Sequence, residues 1–130
     1  MFIVNPIGDF PLNDDWSYAK PIQSLLNGDG IKFTGWMSMT LLSQVLWGAL
    51  WCKIFGFSFT VLRFSTLFLA IVGVVFSYKI ITKFVSSKAV SFLFSLLILF
   101  NPIFFNLSYT FMTDVPFYTF SVIGIYYFLN

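Results

Sequence analysis

Two adjacent carboxylates, Asp14 and Asp15, are the residues whose type and spacing most clearly suggest chemistry. Only five residues are acidic and only 9% are charged, so two neighbouring acids stand out. Partial burial and nearby carboxylates raise the pKa of an acid, which can then act as a general base on a hydroxyl or amine. Carboxylates also bind Mg²⁺ or Mn²⁺, which neutralise a phosphate leaving group. Both roles are open to Asp14, Asp15 and the later acid Asp114.

The side chains that the sequence lacks limit the possible reactions. It contains no His, and Cys52 is its single cysteine. Ser-His or Cys-His catalysis, Cys/His zinc sites and disulfides within the chain are therefore excluded. The net charge of +2 is spread along the sequence without a basic cluster, so we expect no nucleic-acid partner.

The composition is that of a membrane protein. Hydrophobic residues make up 58% of the chain and charged residues 9%, whereas soluble domains carry about 25% charged residues. Segments in lipid must satisfy their own backbone hydrogen bonds, and helices do so. The sequence predicts an all-α, polytopic membrane helical bundle with membrane lipids as partners. An extracytoplasmic loop would carry amphipathic juxtamembrane helices.

The chain divides into a polar part, 1–35, a mixed part, 36–56, and an apolar part, 57–130. In the first part we expect a loop with a short helix over Trp16–Leu26, begun by Asn13 or Asp14 as N-cap. Residues that tolerate left-handed backbone, 27–30, would end it.

The mixed part, 36–56, contains polar residues and several Trp, which is the residue enriched at the headgroup level of a bilayer. It either spans the membrane or lies in the interface as an interfacial or re-entrant helix, and its composition favours the interface. Its three Trp residues, which fit an aromatic belt, are Trp36, Trp47 and Trp51.

The apolar part predicts three transmembrane helices, over about 64–81, 89–105 and 116–130. The first has 18 residues, about 27 Å of helix, close to the hydrocarbon thickness of roughly 30 Å. The last is short, about 21 Å from Pro116 to Leu129. We therefore expect the chain to be a fragment, or one part of an assembly completed by the rest of an enzyme or a partner subunit.

The lysines predict the orientation. Lys79, Lys83 and Lys88 lie in one short loop, and the positive-inside rule assigns this Lys79–Lys88 loop to the cytoplasm of a cell membrane, bacterial in our interpretation. Arg63 and Asp114 then lie outside. If 36–56 lies in the interface, the Asp14-Asp15 loop is extracytoplasmic too.

Each candidate residue also has an ordinary structural explanation. Asp14 and Asp114 each precede a predicted helix and could serve only as helix caps. Asp15 could serve only as a first-turn acid that interacts favourably with the helix dipole. Arg63 either contacts a lipid-linked phosphate or extends its side chain to the interface. General-base and metal roles both suit transfer of a sugar from a polyprenyl-phosphate donor, whose phosphate lies at the headgroup level.

Three segments in the same order resemble the GT-C glycosyltransferases of the family-39 type, which include protein O-mannosyltransferases and the lipid A aminoarabinose transferase. The first is Asp14-Asp15-Trp16-Ser17-Tyr18-Ala19, similar to the acid-acid-x-x-Tyr-Ala signature of the first external loop. The second joins Leu50–Ser58 to Val61–Ser65, similar to Lys-Leu-Phe-Gly-Phe-Ser…Ala-Leu-Arg. The third joins Asn101–Phe105 to Thr113–Pro116, similar to Ser-Pro-Leu-Phe…Pro-Asp.

The resemblance implies an inverting transferase that uses a polyprenyl-phosphate sugar and delivers it to an extracytoplasmic acceptor. Asp14 would take the place of the catalytic base. Asp15 and Asp114 would lie near the donor phosphate or would bind its metal, Mg²⁺ or Mn²⁺, and Arg63 is a possible phosphate contact. The alternative is a small non-enzymatic membrane protein or subunit whose acids only cap helices.

Overall fold

The computed structural model describes residues 7–12, 14–33, 35 and 42–130. These residues form helices and no strand, which confirms the predicted all-α class. The helices are α1 (Asp15–Leu26), α2 (Leu42–Phe55), α3 (Phe59–Phe84), α4 (Lys88–Leu99), α5 (Pro102–Leu107) and α6 (Asp114–Phe128).

Helix α1 ends as its sequence predicts. Asn27 follows its last residue, and Gly28 and Gly30 adopt positive φ angles of 85° and 76°, which a residue with a Cβ adopts at a cost. At its start, Asp14 occupies the N-cap position, while Asn13, the alternative cap, lies outside the described residues.

Helix α3 is longer than the span predicted over 64–81. Ser58 caps it, its side chain accepting a hydrogen bond from the N–H of Thr60 at 3.2 Å. The 26 residues reach about 39 Å, and α3 is the one described helix that is long and apolar enough to cross a membrane. Only 39% of its most apolar stretch is buried, unlike the enclosed core helix of a soluble protein.

The helix predicted over 89–105 is two helices in the structure. Helix α4 ends at Leu99, and the side chain of Asn101 then accepts hydrogen bonds from the N–H groups of Ile103 and Phe104 at 3.0 and 3.3 Å. Pro102 follows this cap at the first position of α5, where its missing N–H is not needed. The 12 residues of α4 cover only about 18 Å, so the polytopic bundle stays a prediction.

Helix α3 lies at the centre of the fold. It packs against α6, α4 and α2, while α1 packs mainly on α2. A hydrophobic cluster joins α1, α2, the start of α3 and the loop before α6. Its buried members are Tyr18, Ala19, Ile22, Val45, Ala49, Cys52, Leu62 and Phe111.

In the helices from α3 onward, many large apolar side chains are exposed and many hydroxyl side chains are buried, which is the reverse of the usual arrangement in a soluble protein. Large apolar side chains are exposed, among them Phe68, Ile71, Phe92, Phe94 and Leu97. Hydroxyl side chains are buried, among them Ser65, Thr66, Ser77, Ser91, Ser95 and Thr119. Small and hydroxyl residues between helices, with apolar residues outside, are typical of helices in lipid. The distribution favours membrane association, while the side that each loop faces stays a prediction.

Candidate functional site

The four residues that the sequence singles out differ sharply in exposure. Asp14 and Asp114 are exposed, whereas Asp15 and Arg63 are both fully buried. Burial of Arg63 differs from the expected position at the membrane surface. The helix explains the difference, because α3 already begins at Phe59 and places Arg63 in its second turn, facing the protein.

Asp15 and Arg63 form a buried ion pair. Arg63 Nε lies 3.5 Å from Asp15 Oδ2. The other carboxylate oxygen, Oδ1, accepts a hydrogen bond from the backbone N–H of Phe111 at 2.9 Å. One carboxylate therefore connects the start of α1 to α3 and to the loop that precedes α6.

The guanidinium of Arg63 also binds the backbone before α1. Its Nη1 donates to the carbonyl of Gly8 at 3.0 Å, and its Nη2 donates to the carbonyl of Phe10. The guanidinium carbon lies 5.4 Å from the centre of the Phe10 ring. In this arrangement the planar group is directed at protein carbonyls rather than at the surface.

The same segment, 7–10, lies across the first turn of α3. The carboxylate of Asp9 accepts hydrogen bonds from the hydroxyl of Ser58 at 3.1 Å and the N–H of Phe59 at 2.9 Å. The N–H of Gly8 donates to the hydroxyl oxygen of Thr60 at 3.1 Å, and that hydroxyl donates back to the Gly8 carbonyl at 3.2 Å. Asp9 thus supplies a negative charge at the helix N-terminus, where the dipole favours it.

Phe111 is held on both sides of its backbone. Its N–H donates to Asp15, and its carbonyl accepts a hydrogen bond from Gln44 Nε2 of α2 at 3.2 Å. The Phe111 ring is 1% exposed and belongs to the hydrophobic cluster. The loop leading to Asp114, the first residue of α6, is therefore fixed by α1 and α2 together.

These contacts set the electrostatics of Asp15. Burial raises its pKa above the usual value of 3.8, because a charged carboxylate loses its hydration. The N–H of Phe111 and the positive charge of Arg63 act in the opposite direction and limit the rise.

Asp14 is the N-cap of α1, and its side chain makes no capping hydrogen bond within the described residues. Asp114 is the first residue of α6, whose N-cap is Thr113 rather than Asp114. At α1 the backbone carbonyl of Asp14, not its carboxylate, accepts hydrogen bonds from the N–H and the hydroxyl of Ser17. Asp14 adjoins Asp15, and Asp114 follows Phe111 by three residues. The contact between Asp15 and Phe111 therefore brings both exposed carboxylates to the same end of the fold.

A metal site was expected at Asp15 and Asp114. Within the described part of the chain, no three acidic, His or Cys side chains form a group that could hold a metal ion. A role for Mg²⁺ or Mn²⁺ stays a prediction.

The Trp residues of α2 face α3. The indole N–H of Trp47 donates to the carbonyl of Ser65 at 3.2 Å, and the Trp47 ring stacks on Phe68 with centroids 5.9 Å apart. Trp51 contacts both of these rings. Trp36 lies outside the described residues, as do 37–41, so the aromatic belt and the full extent of an interfacial helix stay predictions.

Two signals for the buried pair are visible in the sequence. Asp15, Tyr18, Ala19 and Ile22 are spaced i, i+3, i+4 and i+7, so Asp15 belongs to the core-facing stripe of α1 and Asp14 does not. Arg63 is also the single Arg among seven basic residues, and the guanidinium suits buried ion pairs better than an ammonium.

Comparison with protein-family models, curated proteins and solved structures finds no significant match.

Proposed function

We propose that this chain forms the N-terminal part of an integral-membrane glycosyltransferase of the GT-C type. It would move a sugar from a polyprenyl-phosphate donor to an extracytoplasmic acceptor. The observation that carries the proposal is the pair of exposed carboxylates, Asp14 and Asp114, held at one end of the fold beside helices with lipid-type polarity.

In the proposed reaction Asp14 is the general base. Its carboxylate takes the proton of the acceptor hydroxyl or amine, and the acceptor atom forms a bond to the anomeric carbon of the sugar. The bond from that carbon to the phosphate oxygen breaks, and the electron pair leaves with the polyprenyl phosphate. The exposure of Asp14, and the absence of a capping hydrogen bond to its side chain in the described structure, support this role.

Asp114 is assigned to the donor side of the same site. Its place at the first residue of α6 exposes its carboxylate at the end of the fold that also carries Asp14. No step of the proposal runs through a metal, and the buried charges of Asp15 and Arg63 take no direct part in it.

The length of α3 supports the proposed orientation. Arg63 and Lys83 are 20 residues apart in this helix, about 30 Å, which equals the thickness of the hydrocarbon core. With Lys79 and Lys83 at the end of α3 and Lys88 at the start of α4 on the cytoplasmic side, the acidic end lies at the outer headgroup level, where a lipid-linked phosphate is found. The shorter α4 and α6 would complete a polytopic bundle with further helices of the assembly.

Cysteine accessibility tests the orientation. In a Cys52→Ala background, Asp14→Cys and Asp114→Cys should react with a membrane-impermeant maleimide in intact cells, and Lys83→Cys should react only after permeabilisation. Reaction of position 14 from the cytoplasmic side alone would refute the proposal.

A transfer assay tests the reaction. It uses membranes that contain the full-length product of the gene that encodes this chain. Asp14→Asn should abolish transfer of labelled sugar from polyprenyl phosphate while membrane insertion is unchanged, and retained activity would remove Asp14 from the base role. In-frame continuation of the genomic sequence into further apolar helices supports the transferase, and clean stops with an independent start support a small non-enzymatic membrane protein.

A further inference from the structure

Asp15 and Arg63 differ from the other charged residues of the chain. The remaining four acids and six lysines all lie in the described residues, and all are exposed. Removing two charges from water is costly unless hydrogen bonds and close pairing compensate. Here the compensating groups come from segments far apart in sequence: Phe111 on one side, and Gly8 and Phe10 on the other.

These partners connect the two exposed acids through a short path. Asp14 is bonded to Asp15, the Asp15 carboxylate holds the N–H of Phe111, and Phe111 is three residues before Asp114. Gln44 Nε2 donates to the carbonyl of Phe111, so the loop is held at two points of its backbone. The distance between Asp14 and Asp114 therefore depends on hydrogen bonds that neither of their carboxylates makes.

We propose that Asp15 and Arg63 are positioning residues that set the distance between Asp14 and Asp114, rather than contacts of the donor phosphate or its metal. The catalytic meaning of this distance rests on the proposed function, but the distance itself does not. Both side chains are fully buried, and a phosphate that reached the Arg63 fork would have to displace the carbonyls of Gly8 and Phe10.

A distance measurement tests the positioning directly. Nitroxide labels are placed at positions 14 and 114 in the Cys52→Ala chain in lipid nanodiscs, and their separation is measured by pulsed electron resonance. The intact pair should give one narrow distribution. Asp15→Ala should broaden it about twofold or more, because the N–H of Phe111 loses its acceptor. The matched control is Asp29→Asn, which removes an exposed ion pair with Lys32 and should leave the distribution unchanged.

A second variant covers the case in which Asp15→Ala does not fold. Replacing both charges with apolar residues of similar size, Asp15→Leu with Arg63→Met, leaves no buried charge unpaired and usually preserves stability. We expect this variant to keep the helicity of the native chain and to lose the narrow distribution. A folded variant of either kind with an unchanged distance distribution overturns the proposal.

Kinetics distinguish positioning from donor contact. Positioning predicts that folded Asp15→Asn lowers kcat, by on the order of 100-fold for a misplacement of about 1 Å, with the donor KM within twofold. Contact with the donor phosphate predicts a raised donor KM instead and would overturn the proposal. If the native protein transfers no sugar, the proposed function fails, while the label distances still decide whether the pair sets the geometry.

Discussion

The acidic end of the fold and the helical bundle bury polar groups in opposite ways. The acidic end, defined by Asp15, Arg63, Gln44 and the backbone of Phe111, buries charges whose partners are distant in sequence. The bundle, defined by α3, α4 and α6, buries neutral hydroxyls, and several of them bind the carbonyl four residues earlier in their own helix. These include Ser91 to Ser87 and Ser95 to Ser91. Ser77 binds Gly73 in the same way and also contacts the hydroxyl of Tyr118 in α6.

The difference shows how each region is held. A hydroxyl satisfied within its own helix can be buried without a partner on another element, so the helices of the bundle are placed mainly by shape and close approach. A buried charge needs partners, and where these lie on other segments it fixes the segments relative to one another. Geometry that must be precise is therefore expected at the acidic end.

The largest effect should follow removal of one charge at the acidic end. Arg63→Ala leaves the Asp15 carboxylate buried without its ion partner, and we expect the free energy of unfolding in detergent to fall by about 3–5 kcal/mol. Lys32→Ala, which removes one partner of the exposed pair with Asp29, should change it by less than about 1 kcal/mol. Equal effects of the two substitutions would mean that the buried pair contributes no more than a surface pair.

A smaller effect is expected where the bundle relies on close approach. A Cβ at Gly73 of α3 would lie 2.7 Å from Thr119 Oγ1 of α6, so Gly73→Ala should destabilise by about 1–3 kcal/mol as the helices separate. Gly124 also lies in α6 but faces open space, and Gly124→Ala should be neutral or slightly stabilising. If thermal unfolding gives both variants the same midpoint, close packing of α3 on α6 is not what holds the bundle.

The hydroxyl bond from Thr119 of α6 to α3 should contribute less again. Its hydroxyl donates to the carbonyl of Leu69 at 2.9 Å, and Thr119→Val removes the bond with little change in volume. We expect a loss of about 0.6 kcal/mol, the average for such bonds within membranes, and at most about 1.7 kcal/mol. Thr82→Val is the control, because the exposed hydroxyl of Thr82 binds only Lys79 of its own helix among the described contacts. A loss as large as that of Arg63→Ala would erase the difference between the two regions.

Features with local causes could be predicted from the sequence, and features with distant partners could not. The end of α1 at Asn27-Gly28 and the apolar helix α3 follow from neighbouring residues. Asp14 and Asp15 are identical neighbours, and only the packing face of α1 gives one to solvent and the other to the core. Nothing local indicates that Asp9 would bind the start of α3, 50 residues later.

The break between α4 and α5 shows the same limit on a smaller scale. Asn101-Pro102 is visible as a possible cap, but hydropathy averaged over 89–105 hides it, because the residues on both sides are apolar. The sequence singles out the charged residues of the candidate site by type, and whether they form a functional site stays a prediction. The contacts that hold the buried acid come from the backbone of Phe111, which Gln44 holds in turn, and neither of these residues carries a charge.

The smallest difference between the two regions should appear in how the free energy of unfolding depends on pH. Burial raises the pKa of Asp15 above 3.8, so just above that pH the folded chain keeps a proton that the unfolded chain releases. The stability from this group is fully present below 3.8 and is lost as the pH rises through the folded pKa, by at most about 1.4 kcal/mol per pH unit for one proton. The free energy of unfolding, measured from pH 3 to 7, should therefore fall relative to Asp15→Asn in that window and run parallel to it at higher pH.

Thr119→Val changes no titratable group, so its curve should follow the native one at a constant offset. Parallel curves for the native chain and Asp15→Asn throughout would mean that burial does not govern the protonation of Asp15.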